Sequence, residues 1–217
     1  MQGQHTKHLT FQYSYERFVN FVIIDLIHYE GENMSEILIE LAKAAIAVSL
    51  GLEDNFDLSK AREIYPQLNQ NAAVFVTLTQ EPNERLRGCI GSLVAHRPLY
   101  KDIISNAQSA ALRDPRFKPL TIEEFANIKI EISILSEPKE LVYSDTADLK
   151  NKIKPQIDGV VLQLDNHRAT YLPSVWEQLP TFESFFTSLC QKAGMQGNCI
   201  EKHPTISIYQ ATKYKEK

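Results

Sequence analysis

The chain has 217 residues, 43% hydrophobic and 23% charged, which is enough for one sizeable core or for two lobes sharing an interface. Its 23 Lys and Arg are outnumbered by 27 Asp and Glu, and the formal net charge of −4 argues against general binding to phosphate backbones. The three cysteines include no C-x-x-C pair, so neither a disulfide framework nor a zinc site of ordinary spacing is expected, and a cytoplasmic setting is the simplest.

Residues 1–34 read as an N-terminal extension. Within it, the aromatic and aliphatic stretch from Tyr15 to Tyr29 sets Phe18, Val22 and Leu26 in one helical row. The most apolar early run, 18–27, is broken by Asn20 and Asp25 and falls well short of the roughly 20 residues that cross a bilayer, so no membrane span is expected. Ser35 and Gly51 then bracket a helix whose expected buried stripe is Ile37, Leu41, Ala44, Ala45 and Val48. Residues 72–79 read as a strand. Pro82-Asn83-Glu84 supplies turn chemistry, so a hairpin is expected with the segment that follows.

That segment, Arg85-Leu-Arg-Gly-Cys-Ile-Gly-Ser-Leu93, concentrates the unusual chemistry. As a plain strand it places Leu86, Ile90 and Val94 on a core face, and Arg87 and Cys89 together on the other. A guanidinium two residues from a thiol favours the thiolate, which is the nucleophile. Gly88 and Gly91 weaken the strand and mark a bulge or a close backbone approach by something else, and Gly91 leaves an opening beside the sulfur. The structural alternative makes Cys89 a small buried hydrophobe.

Pro98 opens a helix with Leu99, Ile103, Ala107 and Ala110 on one face, ending near Asp114-Pro115. Arg113, Asp114, Arg116 and Lys118 crowd the next loop, as solvated ion pairs or as an anion-binding or acid/base loop. Thr121-Ile-Glu-Glu124 has capping-box spacing, and residues 129–136 alternate with Ile130, Ile132 and Ile134 inward and Glu131 towards solvent. The segment 138–155 is polar and irregular. Asp158-Gly159 opens a strand through Leu164, Asp165-Asn166-His167 turns it, and Arg168–Leu172 returns. Trp176 anchors the core. Thr181 caps a helix turning Phe182, Phe185, Phe186 and Leu189 inward, with Cys190 as buried filler and Cys199 in a later loop. Residues 205–211 alternate as a strand, and 213–217 read as a charged tail.

Ordered blocks along residues 35–212 resemble the AmmeMemoRadiSam system protein A family, the AMMECR domain. They are Phe75–Leu78, Leu86-Arg-Gly-Cys-Ile-Gly91, Arg97–Tyr100, Asp114-Pro-Arg-Phe117, Ile130–Ser136, Asp158-Gly-Val160, Tyr171–Trp176 and Leu189–Gly194. The resemblance implies an α/β fold, a mixed and largely antiparallel sheet flanked by helices with a smaller second lobe in the same folding unit. It implies no settled activity, and it points to Memo-type and radical-SAM-type proteins as partners. The chain departs from the family pattern at Gln156, where glycine is common, and at Ala169, which replaces the glycine of Arg-Gly-Thr.

These residues lead to a small enzyme with a Cys-centred pocket. Cys89, Arg87 and Asp114 are the candidate catalytic groups, and Gly88, Gly91, Arg116, Asp158 and Arg168 the candidate ligand-binding ones. His96 and His167 are candidate general bases. No metal-ligand pattern is present, and cofactor, substrate and reaction stay open. The alternative is a non-catalytic protein- or ligand-binding module using the Leu86–Gly91 surface, with Arg87 as a hot-spot contact.

Overall fold

Two four-stranded antiparallel sheets carry the fold in a computed structural model that describes residues 34–196 and 198–216. The expected helical row through Phe18 lies outside the described residues. The mixed α/β class is found, with helices flanking both sheets.

Helix α1 (34–49) is rich in Ala and Leu, which form helices readily, and buries Leu38, Leu41, Ala42, Ala45 and Ile46. This face is rotated from the expected stripe, leaving Val48 59% exposed. Alanines on several sides of the helix make the apolar face ambiguous from spacing alone. Helix α2 (Leu58–Ile64), capped by Asp57, leads through a short 3-10 turn to β1 (Ala73–Gln80). β1 pairs antiparallel with β2 (Arg85–Gly91), forming the expected hairpin. Val74, Val76 and Leu78 of β1 are fully buried with residues of α1 and α3 (Leu99–Leu112). α3 lies so close to β2 that a Cβ at Gly88 would sit 2.2 Å from the Ala110 carbonyl oxygen.

Thr121 and Glu124 form the expected capping box of α4 (Ile122–Phe125). β3 (Ile128–Leu135) pairs with β1 on its other side. The last strand of this sheet is β8 (Ala211–Lys215), giving the order β2-β1-β3-β8. Residues 213–215, expected in a charged tail, are therefore part of an edge strand. Tyr214 packs on the core beside Ile132, while Lys213 and Lys215 alternate with it. Lysines on an edge discourage further strand pairing, so a lysine-rich strand reads as a tail.

The second sheet has the order β4-β7-β5-β6, with β4 (Lys139–Glu140), β5 (Gly159–Leu164), β6 (His167–Tyr171) and β7 (Thr205–Tyr209). The segment expected to be irregular contains β4 and helix α5 (Thr146–Lys152), capped by Asp145. Trp176 stacks on Phe185 of α6 (Phe182–Lys192) at 3.7 Å between ring centres, and its indole N–H donates to the Asp158 carbonyl at 2.9 Å. Cys190 and Cys199 are joined in a disulfide, against the expectation of no such pair. The two cysteines lie nine positions apart, and the chain between them brings the end of α6 back against the turn at Cys199–Lys202, which spacing alone did not indicate. Gln156, standing where the family resemblance implies glycine, adopts φ of 67°, the left-handed region that glycine enters most easily.

The chain crosses between the sheets twice, after β3 and again between β7 and β8, where Gln210 alone intervenes. The two crossings are bonded together. Ser136 N–H donates to the Gln210 carbonyl at 2.8 Å, and Gln210 N–H to Ser136 Oγ at 3.0 Å. Among the described residues, no helix is long and apolar enough to cross a membrane.

Gly88→Ala tests the contact of α3 with β2. The obstacle is a backbone carbonyl inside a helix, which cannot turn aside as a side chain can. A loss of about 3 kcal/mol in urea unfolding is expected, and unchanged stability would mean that α3 does not rest on this strand.

Candidate active site around Cys89

The register of the hairpin breaks once. Leu78 pairs with Gly88, but Thr79 pairs with Leu86, so Arg87 is the extra residue of a β-bulge. Cys89 and Gly91 face away from α3, beside Thr77 and Phe75, on the open face of the sheet. Below the bulge Leu86 falls on that same open face and is 43% exposed. Of the three residues expected on the core face, only Ile90 packs there, since Val94 lies past the strand end and is 60% exposed.

Arg87 is accordingly buried and turned to α4. Its Nε donates to Glu124 Oε1 at 3.1 Å, and its Nη2 to Glu124 Oε2 at 2.8 Å and to the Lys118 carbonyl at 2.9 Å. Nη1 is buried without a hydrogen-bond partner among the described residues. Glu124 thus serves both the capping box and this ion pair, and Arg87 holds its carboxyl below the ordinary value. The expectation that Arg87 flanks the thiol is corrected by the bulge, which redirects the side chain to a waiting carboxylate.

The guanidinium at Cys89 belongs to Arg116. The N–H of Cys89 points outward from β1 and donates to Asp114 Oδ2 at 2.9 Å, while the Cys89 carbonyl accepts from Arg116 Nη2 at 3.2 Å. Arg116 in turn grips Asp114 with both arms of its fork, Nε to Oδ1 at 3.0 Å and Nη2 to Oδ2 at 2.7 Å. The Arg116 guanidinium holds the Asp114 carboxyl far below the usual carboxylate range; burial opposes this, and N–H groups of Cys89 and Arg116 reinforce it. Asp114 above all, with a smaller contribution from the Cys89 sulfur, pushes Arg116 up from its ordinary value. Asp114 is almost wholly buried, whereas the Arg116 side chain is 53% exposed and meets solvent. Thr77 Oγ1 donates to the Cys89 sulfur at 3.4 Å, and the half-buried Cys89 is a free thiol.

The polar row continues across the sheet, because Thr77 also pairs with Glu131 and Glu131 with Lys215. Glu131, expected to face solvent, is only 19% exposed and pairs with Lys213 and Lys215 at 3.5 and 3.2 Å.

Other expected site residues lie elsewhere. The space above Gly91 is filled by the Phe75 ring, since a Cβ there would be 2.2 Å from Phe75 Cγ. Gly91 therefore leaves no opening beside the sulfur, and Gly88 serves helix packing. Asp158 is buried at the chain crossing, accepting from Lys154 N–H at 2.8 Å and from Gln210 Nε2 at 3.3 Å. Arg168 lines a cavity of about 630 Å³ between the sheets. That cavity reaches β1 at Ala73, about 13 Å along the strand from Thr77, with Phe75 between. His167 and His96 hold their rings against the Ala193 and Val94 carbonyls, each at 2.9 Å, and neither is bonded to the sulfur. The structure thus gathers Cys89, Asp114 and Arg116, adds Thr77, and leaves out Arg87, Asp158, Arg168 and both histidines.

Buried Asp102 also escaped the sequence reading. It accepts from Val74 N–H at 2.9 Å, Ser92 Oγ at 2.8 Å and Arg97 Nε at 2.6 Å, and so fixes the chain leaving β2. Its signal was available, because Asp102 and Asn106 fall in the buried row of α3.

The depressed carboxyls of Asp114 and Glu124 give a pH test. Each contributes stability that is complete above its unfolded value near 4 and is lost as pH falls through the lower folded value. Thermal stability should therefore fall between about pH 4 and pH 2, and Asp114→Asn should flatten that fall while costing about 2 kcal/mol at neutral pH. An unchanged acid limb in the variant would show that the Asp114–Arg116 pair is not formed.

Comparison with known proteins gives the family and the fold. A family model described as AMMECR1 matches residues 39–214. Protein SSO0193 of Saccharolobus solfataricus is 34% identical over 195 residues, which is 86% of this chain and 83% of the relative. Protein PF1979 of Pyrococcus furiosus is 34% identical over 83% of this chain and 86% of its own length. The crystal structure of an uncharacterized protein, PH0010 from Pyrococcus horikoshii, superposes with a TM-score of 0.69 at 30% identity, covering 84% of this chain and 91% of that one. With its signature segment folded as a bulged hairpin beneath α3, the chain belongs to the AMMECR1 family.

Proposed function

We propose that this protein is an enzyme whose nucleophile is the Cys89 thiolate, acting in a modification pathway with Memo-type and radical-SAM-type partners. One observation carries the proposal: the Asp114–Arg116 pair grips both backbone groups of Cys89, with the Arg116 guanidinium bonded to the carbonyl of the residue that bears the free thiol. A cysteine serving only as core filler needs neither a cation nor a fixed backbone. Arg116, half exposed, has a free side for an anionic part of the substrate, and Asp114 is its positioning partner. In the covalent step the thiol proton leaves to solvent and the sulfur electron pair forms an S–C bond to an electrophilic carbon. The leaving group departs with the electrons of the bond that breaks.

The partners rest on the family resemblance, and a cytoplasmic location on the scarcity of cysteines. Cys190 and Cys199 are both sealed from solvent, which protects their bridge from small thiols in such a setting. The competing reading, a binding module, draws on Leu86, exposed on the same open face as Cys89.

Alkylation separates the two. In the folded protein, iodoacetate and iodoacetamide should both label Cys89. The ratio of iodoacetate to iodoacetamide rates should exceed that of free cysteine by several-fold, because Arg116 attracts the carboxylate, and Arg116→Gln should remove the excess. Cys89→Ser should shift Tm by no more than about 2 °C. An inert folded-state thiol, or a large loss of stability in Cys89→Ser, would favour the binding or core role instead.

A further inference from the structure

The two open sheet faces enclose a space that the thiol site does not use. We propose that this cavity is a second ligand site, for a small organic monoanion whose carboxylate is held by Arg168. Its volume, about 630 Å³, lies inside the range of about 300–1,000 Å³ usual for small-molecule sites. Ala73 and Leu135 from the first sheet, Val161 from the second, and Leu93, Val94 and Ala95 after β2 make most of its wall apolar. Such a wall rewards a hydrocarbon body and offers nothing to a bare ion.

Arg168 is the cation on this lining; it lies at the exposed side of the space, and among the described residues its side chain forms no hydrogen bond or ion pair. A guanidinium left without a partner at the side of an apolar cavity matches a planar carboxylate through two parallel N–H bonds. The strand carrying it is fixed on both sides. His167 is tied to the Ala193 carbonyl, and the Thr170 carbonyl accepts from Lys192 Nζ at 2.9 Å. Glu137 also lines the space, so a second negative charge on the ligand would be repelled and a monoanion is selected. The Phe75 ring separates this space from Cys89, so the site stands or falls independently of the nucleophile.

The test is an amide NMR titration of the full chain with octanoate, and with 1-octanol as a neutral probe of similar length. Octanoate should saturate, with shifts centred on Leu135, Val161, Ala169 and Thr170, and should bind about tenfold more tightly than octanol. Arg168→Gln should weaken octanoate by about tenfold and leave octanol unchanged, while Cys89→Ser should alter neither. Absence of saturation below ~10 mM, equal affinity for the two probes, or an unaffected Arg168→Gln variant would overturn the proposal.

Discussion

The extra residue in β2 governs the direction of every side chain in the signature segment. In an unbroken strand Arg87 and Cys89 would project from one face. The bulge at Arg87 instead sends the guanidinium to Glu124, tying the hairpin to α4, and leaves Cys89 on the open face with Thr77. What finishes the edge of β2 at this point is a loop. Asp114 takes the N–H that a neighbouring strand would take, and Arg116 supplies the donor for the carbonyl. Edge groups must be satisfied or shielded, and here the same atoms that satisfy them bring charge to the sulfur. The strand edge and the proposed nucleophile therefore rest on the same five hydrogen bonds among Cys89, Asp114 and Arg116.

Much of this was legible from residue types. Pro82-Asn83-Glu84 announced the hairpin, the Leu99–Ile103–Ala107–Ala110 row announced α3, and Thr121 and Thr181 marked two helix starts that the structure has. Gly88 and Gly91 signalled a bulge in this strand, but not that Arg87 is its extra residue, since alternation is defined against a partner strand. Cys89, Asp114 and Arg116 each stood out, but the separation of 25 positions between Cys89 and Asp114 hid their contact. Arg87, nearer in sequence, was taken as the thiol's cation. The close backbone approach expected at the glycines is met at Gly88 by Ala110, whereas the opening expected at Gly91 is filled by Phe75.

The cavity has a similarly plain origin. Where the open faces meet, the first sheet and its loops contribute Ala73, Ala95 and Ala211, and small side chains cannot fill the gap between two pleated surfaces. Tyr209 and Leu135 close one part of it, and the remainder stays open beside Arg168. Ala169, standing where the family resemblance implies glycine, turns its methyl to the opposite face, into the core of the second lobe beside Leu162.

Gln210 carries one more consequence. Both passages of the chain between the sheets lie side by side, stitched through Ser136 and joined to Asp158 by the Gln210 side chain. Two doors hung on a single pin can open only as a book does. Any motion that widens the space between the lobes must rotate about this seam, with the largest displacement at the margin farthest from Gln210 and the least beside it.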